Sequence, residues 1–140
     1  MKKKIPFLSA LLFFSILPLS LFTSCDKDTN CYLDVKVVNE TFIDPVSGAQ
    51  FTNVPIPGAA VIVSQDGGNV YAEGISDESG EFSTHFVAPA IIKIKAILQL
   101  YNDQGLPVAQ RRGETSVRLV EGETISAKIT VPIQAYYDKK

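Results

Sequence analysis

An all-β fold, a single antiparallel β-sandwich of about seven strands, is what this sequence predicts. Three observations point to it. Apolar and polar residues alternate one by one through several segments, turn residues punctuate the chain at short intervals, and no amphipathic helix of ordinary length can be drawn. Successive side chains of a strand point to opposite faces, so strict alternation gives one core face and one wet face.

The elements follow in order. In Leu33-Asp34-Val35-Lys36-Val37 the apolar residues face a core while Asp34 and Lys36 face water. Ala59 to Ser64 is a continuous run of small and β-branched residues, fit for a well-buried strand. Asp66-Gly67-Gly68 is a hairpin signal, and Asn69 to Ser76 is the returning strand. Asp77-Glu78-Ser79-Gly80 is a second turn, after which Phe82, Thr84 and Phe86 share one face. Ile91 to Tyr101 is the longest apolar stretch beyond the N-terminal segment. Ile92, Ile94, Ala96, Leu98 and Leu100 line one face of it, and the flanking Pro89 and Asn102-Asp103 favour a strand over a helix. Val117 and Leu119 mark another strand. In the last, Ile125, Ala127, Ile129 and Val131 alternate with Ser126, Lys128 and Thr130.

Ahead of these strands the chain reads as an address. Lys2, Lys3 and Lys4 form a positive head, Ile5 to Phe22 carries no charge, and small residues follow up to Cys25. Pro6 and Pro18 interrupt the apolar run, which argues for a cleaved signal over a membrane-spanning anchor. Removing the first 24 of the 140 residues leaves 116 and takes away three lysines and no acidic residue. Ten basic residues then stand against 15 acidic ones, a formal net charge of -5 instead of -2. That balance excludes a strongly basic nucleic-acid-binding chain. The division expected is a signal over 1–24, an anchor and tether over 25–31, and one sandwich over 32–140.

Leu21-Phe22-Thr23-Ser24-Cys25 resembles the lipobox of bacterial lipoproteins, and the acidic Asp26-Lys27-Asp28 that follows looks like lipoproteins of the Bacteroidota. The resemblance implies lipidation at Cys25 and a protein held at the bacterial envelope. The Bacteroidota pattern implies the outer membrane, with its periplasmic and surface sides open, and the enterobacterial rule would instead read Asp26 as inner-membrane retention. Under it Cys31 keeps its thiol; without lipid, Cys25 and Cys31 could instead form a small disulfide loop.

A second resemblance lies in the middle of the chain. Val54-Pro55-Ile56-Pro57-Gly58-Ala59-Ala60-Val61-Ile62-Val63, then Gly74-Ile75-Ser76-Asp77-Glu78-Ser79-Gly80-Glu81-Phe82, resemble the strand and hairpin motifs of carboxypeptidase regulatory-like domains. These implied relatives have a prealbumin-like (transthyretin-like) Greek-key sandwich and often serve as structural modules. The motif positions also have physical readings. Asp77 fixes the turn by accepting amide hydrogens, Gly80 takes positive φ, Phe82 plugs the core, and Gly58 with Ala59 allows a tight strand entry and close approach of sheets. The departure from the family pattern is the long stretch Asn39 to Asn53 around Asp44-Pro45-Val46-Ser47-Gly48, an extra hairpin or a binding loop. Asp44, Pro45, Ser47 and Gly48 are the candidate interaction loop, since loops carry function more often than sheet faces do.

The sequence supports little catalysis. His85 is the only histidine, and alternation places it on the exposed face, opposite Phe82, Thr84 and Phe86. Zinc needs three or four donors, and Ser/His/Asp chemistry would need His85 as its base. A calcium site from Asp66, Asp77 and Glu78 lacks the regular spacing of oxygen ligands. No catalytic residue, cofactor or metal is expected. Arg111-Arg112 with Tyr101 could make a cationic and aromatic patch, or a charged edge that blocks pairing. The expected function is a non-enzymatic envelope module with a protein partner. The alternative is a carbohydrate-binding or adhesive lipoprotein using Tyr71, Tyr101, Tyr136 and Tyr137, a weak glycan platform because Trp is absent.

Overall fold

The computed structural model describes residues 29–132; Cys25 and the rest of the lipobox, and Tyr136 and Tyr137, lie outside them. The chain is an all-β sandwich. Its strands are β1 (Cys31–Asn39), β2 (Phe42–Ile43), β3 (Gln50–Phe51), β4 (Ala60–Ser64), β5 (Tyr71–Ile75), β6 (Glu81–Phe86), β7 (Ile91–Tyr101), β8 (Pro107–Arg118) and β9 (Thr124–Val131). One layer has the order β6-β1-β9 and the other β5-β4-β7-β8; among the described residues β2 and β3 pair only with each other.

The alternation does what the sequence predicts. Leu33, Val35 and Val37 of β1, Val61 and Val63 of β4, Ile92, Ile94 and Ala96 of β7, and Ile129 and Val131 of β9 are all at most 1% exposed and fill the space between the layers. Burial of such side chains is the main stabilising term, at roughly 1.5–3 kcal/mol each. Cys31 is equally buried at the top of β1, a core position rather than an accessible thiol.

One ladder departs from the antiparallel expectation. β1 and β9 run parallel, from Tyr32 beside Thr124 to Asn39 beside Val131. The cause is the route of the chain. β8 ends where β1 begins, and the turn at Leu119–Glu123 carries the chain across to the other layer there. Asn30 and Tyr32 pin that turn, through Gly122 N–H to Asn30 O (2.8 Å) and Tyr32 N–H to Glu123 O (3.0 Å). β9 must then run the way β1 runs. The end bearing Cys31 is called the upper end below, and the end bearing Asn39 the lower.

The layers meet closely along both open sides, at glycines. On one side the Phe82 ring of β6 fills the place of a side chain on Gly74 of β5; a Cβ there would sit 2.2 Å from the ring. On the other, the backbone of β9 rests on Gly113 of β8, where a Cβ would sit 2.3 Å from Thr130 O.

β7 and β8 outgrow their layer. β4 accompanies β7 only as far as Ala60 opposite Ile97, so residues 98–110 form a two-stranded arm at the lower end. The sequence shows the β7 part as an apolar run. It does not show the β8 part, because Pro107 to Thr115 mixes polar, charged and small residues.

Candidate functional site

The motif from Gly74 to Phe82 is one structural unit at the lower end. Asp77 Oδ1 accepts the N–H groups of Ser79 (2.8 Å) and Glu81 (2.9 Å), closing the β5–β6 turn. Gly80 sits in that turn at φ 73°, with its carbonyl accepting from Val37 N–H at 2.8 Å. Ser76 is the member that alternation alone misses. It is 4% exposed; its hydroxyl donates to Ile56 O (2.8 Å) and accepts from Ala59 N–H (2.9 Å). Gly58 N–H donates to Ser76 O at 2.9 Å, so the turn holding Gly58 and the buried Ala59 is stapled to β5. The signal was present in the sequence: a small hydroxyl residue directly before the turn aspartate.

The stretch after β1 is a hairpin, not an open loop. Its base is fixed by Asn39, which is 3% exposed, with Oδ1 accepting Val54 N–H (2.7 Å) and its own N–H donating to Val54 O (2.9 Å). Val38, whose position in the alternation faces outward, is buried because the chain folds back over it at Pro55. Phe42 and Phe51 stack across β2 and β3 at 5.1 Å. The tip is ordered by Asp44, whose carboxylate accepts the Ser47 hydroxyl and Val46 N–H (3.1 Å). Its carbonyl accepts Gly48 N–H at 2.8 Å. Pro45, Val46, Ser47 and Gly48 are exposed around it, and Val46 is 93% exposed.

The Ser47 bond, then the Val46 bond, hold the Asp44 carboxyl below its ordinary range. A carboxylate whose folded pKa is lowered contributes order that is complete above its unfolded value and lost as pH falls through the lowered one. The amide resonances of Val46 and Ser47 are therefore expected to hold steady at neutral pH and move together in acid. Ser47→Ala is expected to raise the midpoint of that movement; an unchanged midpoint would remove the Ser47 bond as its cause.

The outer face of the β6-β1-β9 layer is polar. Its registers set three rows: His85, Tyr32 and Thr124; Ser83, Asp34 and Ser126; Glu81, Lys36 and Lys128. A shallow trough of about 370 Å³ runs along the two lower rows. Lys36 Nζ pairs with Glu81 Oε1 at 2.8 Å, and Lys128 Nζ donates to Asn53 Oδ1 at 3.3 Å. His85 is exposed, as the alternation predicts, with the Tyr32 ring 6.2 Å away. Ser83, His85 and Asp34 share this face, and no hydrogen bond joins any two of them among the described residues.

Other sequence candidates are separated by the fold. Asp66 lies in the upper β4–β5 turn, 3.3 Å from Lys93 Nζ, while Asp77 and Glu78 lie in the lower turn. The three carboxylates share no site. Arg111 and Arg112 point to opposite faces of β8: Arg111 is half-buried on the inner side, and Arg112 is exposed and donates to Gln110 Oε1 at 3.0 Å. They make no joint patch with Tyr101. Tyr71 and Tyr101 stand at opposite ends of the other outer face. Tyr71 donates to Glu73 Oε2 at 2.6 Å, a bond that raises its phenol pKa.

The exposed apolar residues, by contrast, are unevenly distributed between the two ends. Eleven large ones are exposed among the described residues. Tyr71, Val87 and Ile91 are at the upper end. The other eight are at the lower: Ile43, Val46, Phe51 and Val54 in the insertion, Ile75 at the end of β5, and Tyr101, Leu106 and Val108 on the arm.

No protein-family model matches the chain, and no curated protein matches it. Among solved structures it is similar to the minor pilin of the Gram-positive pathogen Streptococcus agalactiae, at 16% identity and a TM-score of 0.48. The alignment covers 76% of this chain and 45% of the pilin, so the chain spans less than half of that protein.

Proposed function

We propose that the chain is a non-enzymatic interaction module of the bacterial envelope, held by lipid on Cys25 beside its upper end and offering its lower end to a protein partner. The observation that carries this is the polarity of the domain: eight of eleven exposed large apolar residues stand at the end opposite Cys31. Residues 26–30 between Cys25 and Cys31 reach about 20 Å at full extension. The upper end therefore stays near the lipid, and the insertion hairpin and the arm face away from it. Exposed apolar anchors on short, internally bonded hairpins suit a partner's pocket, because little order has to be gained on binding. Asp44, Pro45, Ser47 and Gly48 serve as the frame, and Ile43 and Val46 as the contacts.

Two measurements test the reading. The mass of the mature N-terminal peptide is expected to show a lipid-modified Cys25; an unmodified Cys25 would sink the anchor. A photo-cross-linking residue placed at Val46 is expected to trap a discrete protein adduct in intact cells, and one at Val87 on the upper end is not. Equal trapping at both positions, or none at Val46, would refute the lower end as the docking end. In the same cells Ile43→Asp with Val46→Asp is expected to leave the melting temperature within about 2 °C of the parent, since surface changes cost little.

A further inference from the structure

β8 is the edge of its layer. Among the described residues all its ladder partners are in β7, and β9 packs against its inner face at Gly113, so none of them pairs with the outer edge of these twelve residues. Edge strands usually carry charges that repel a second strand. Here the charges alternate in sign about a glycine: Arg112, Gly113, Glu114.

We infer that this edge pairs with the same edge of a second copy, antiparallel and centred on Gly113. In that register each Arg112 stands opposite Glu114 of the second copy, and each Gln110 opposite Ser116. Moving the centre by one residue faces Arg112 with Arg112, or Glu114 with Glu114. Like charges directly opposite destabilise a pair, so the pattern selects one register. Neither Arg112 nor Glu114 has an ion-pair partner among the described residues, so both charges are available. A second, separate feature fits the same register. Arg111 Nε is buried without a hydrogen-bond partner, and the pairing sets Thr115 of the second copy opposite Arg111 on the same face. A threonine hydroxyl is an acceptor for that N–H. The product is one eight-stranded sheet made from two four-stranded layers.

The pairing stands apart from the lipid and from the contacts at Ile43 and Val46. It places the two Cys31 ends at opposite ends of the joined sheet, so with each upper end held near lipid it links copies that stand on two facing membranes. The test uses the full chain in mild detergent, with molar mass measured by sedimentation over a range of concentrations. The parent is expected to form a dimer. Arg112→Glu or Glu114→Arg alone is expected to weaken it by about tenfold or more, because each puts two like-charge pairs in the interface. The double reversal is expected to restore it. A parent that stays monomeric, or a double reversal no tighter than the single ones, overturns the proposal. Gln110→Cys combined with Ser116→Cys is expected to link two chains covalently on mild oxidation, and Gln110→Cys alone is not; linkage by the single variant would refute this register.

Discussion

Gly80→Ala is expected to lower the stability of the domain by about 3 kcal/mol, a large part of the roughly 5–15 kcal/mol a domain of this size holds. Two costs add. The backbone at Gly80 is at φ 73°, where a residue with a Cβ pays about 1–2 kcal/mol. The new Cβ would also sit 2.6 Å from Val37 O and 3.0 Å from Ile56 N. Both are backbone atoms held by the Gly80–Val37–Ile56 hydrogen bonds, so neither moves cheaply. Overpacking of that kind costs about 1–3 kcal/mol. Gly67 supplies the control. Its φ is 70°, yet a Cβ there meets nothing within 4 Å. Gly67→Ala should therefore show the backbone cost alone, about 1 kcal/mol. Urea unfolding of both variants separates the two terms. Equal losses would show that the contact at Val37 is not tight.

Gly113→Ala is the second large effect and has a different cause. Gly113 has no positive φ, and alanine is otherwise no worse than glycine in a strand. The loss comes from Thr130 O at 2.3 Å and Ile129 Cγ2 at 2.8 Å from the new Cβ. The β8 and β9 backbones must separate, at a cost of about 1–3 kcal/mol, or roughly 5–15 °C in melting temperature. Amide exchange of Ile129 and Thr130 is expected to quicken ahead of that in β1 and β6. Gly74→Ala on the opposite side meets only the Phe82 ring, which can swing, so its loss should be smaller. A larger loss at Gly74 would mean that the Phe82 side, not the β8–β9 side, closes the sandwich.

Much of this architecture could be read from alternation. β6, β7 and β9 fall where the periodicity puts them, because each has one face more buried than the other and a strand's period makes that face visible. β4 falls where its continuous run of small and β-branched residues puts it. The turns at Asp66 and Asp77 were legible because they need residues that bend or that tolerate positive φ. Three things were not legible. The parallel pairing of β1 with β9 depends on which layer the chain enters after Leu119, and no local residue records that. Val38 is buried by a segment that returns only at Pro55, so its own neighbours give no sign of it. The exposed residues 43, 46, 51, 54, 75, 101, 106 and 108 are far apart in sequence, and only the topology shows that their segments leave the sandwich toward one end. Asp44, Pro45, Ser47 and Gly48 were identifiable as a loop in sequence, but the exposed contacts beside them, Ile43 and Val46, became meaningful only with the topology.

The parallel β1–β9 ladder bears on how the domain carries load. A chain held at Cys31 and pulled from Val131 is gripped at the top of one strand and the bottom of its neighbour. Force along that line slides β1 past β9, so the eight register pairs from Tyr32–Thr124 to Asn39–Val131 are strained together. An antiparallel pair gripped at adjacent ends would instead peel open one pair at a time. Forced unfolding is governed by the unfolding barrier, and shear along eight pairs raises it where peeling does not. β1 is thus also the strand best placed to resist being drawn out from its Cys31 end.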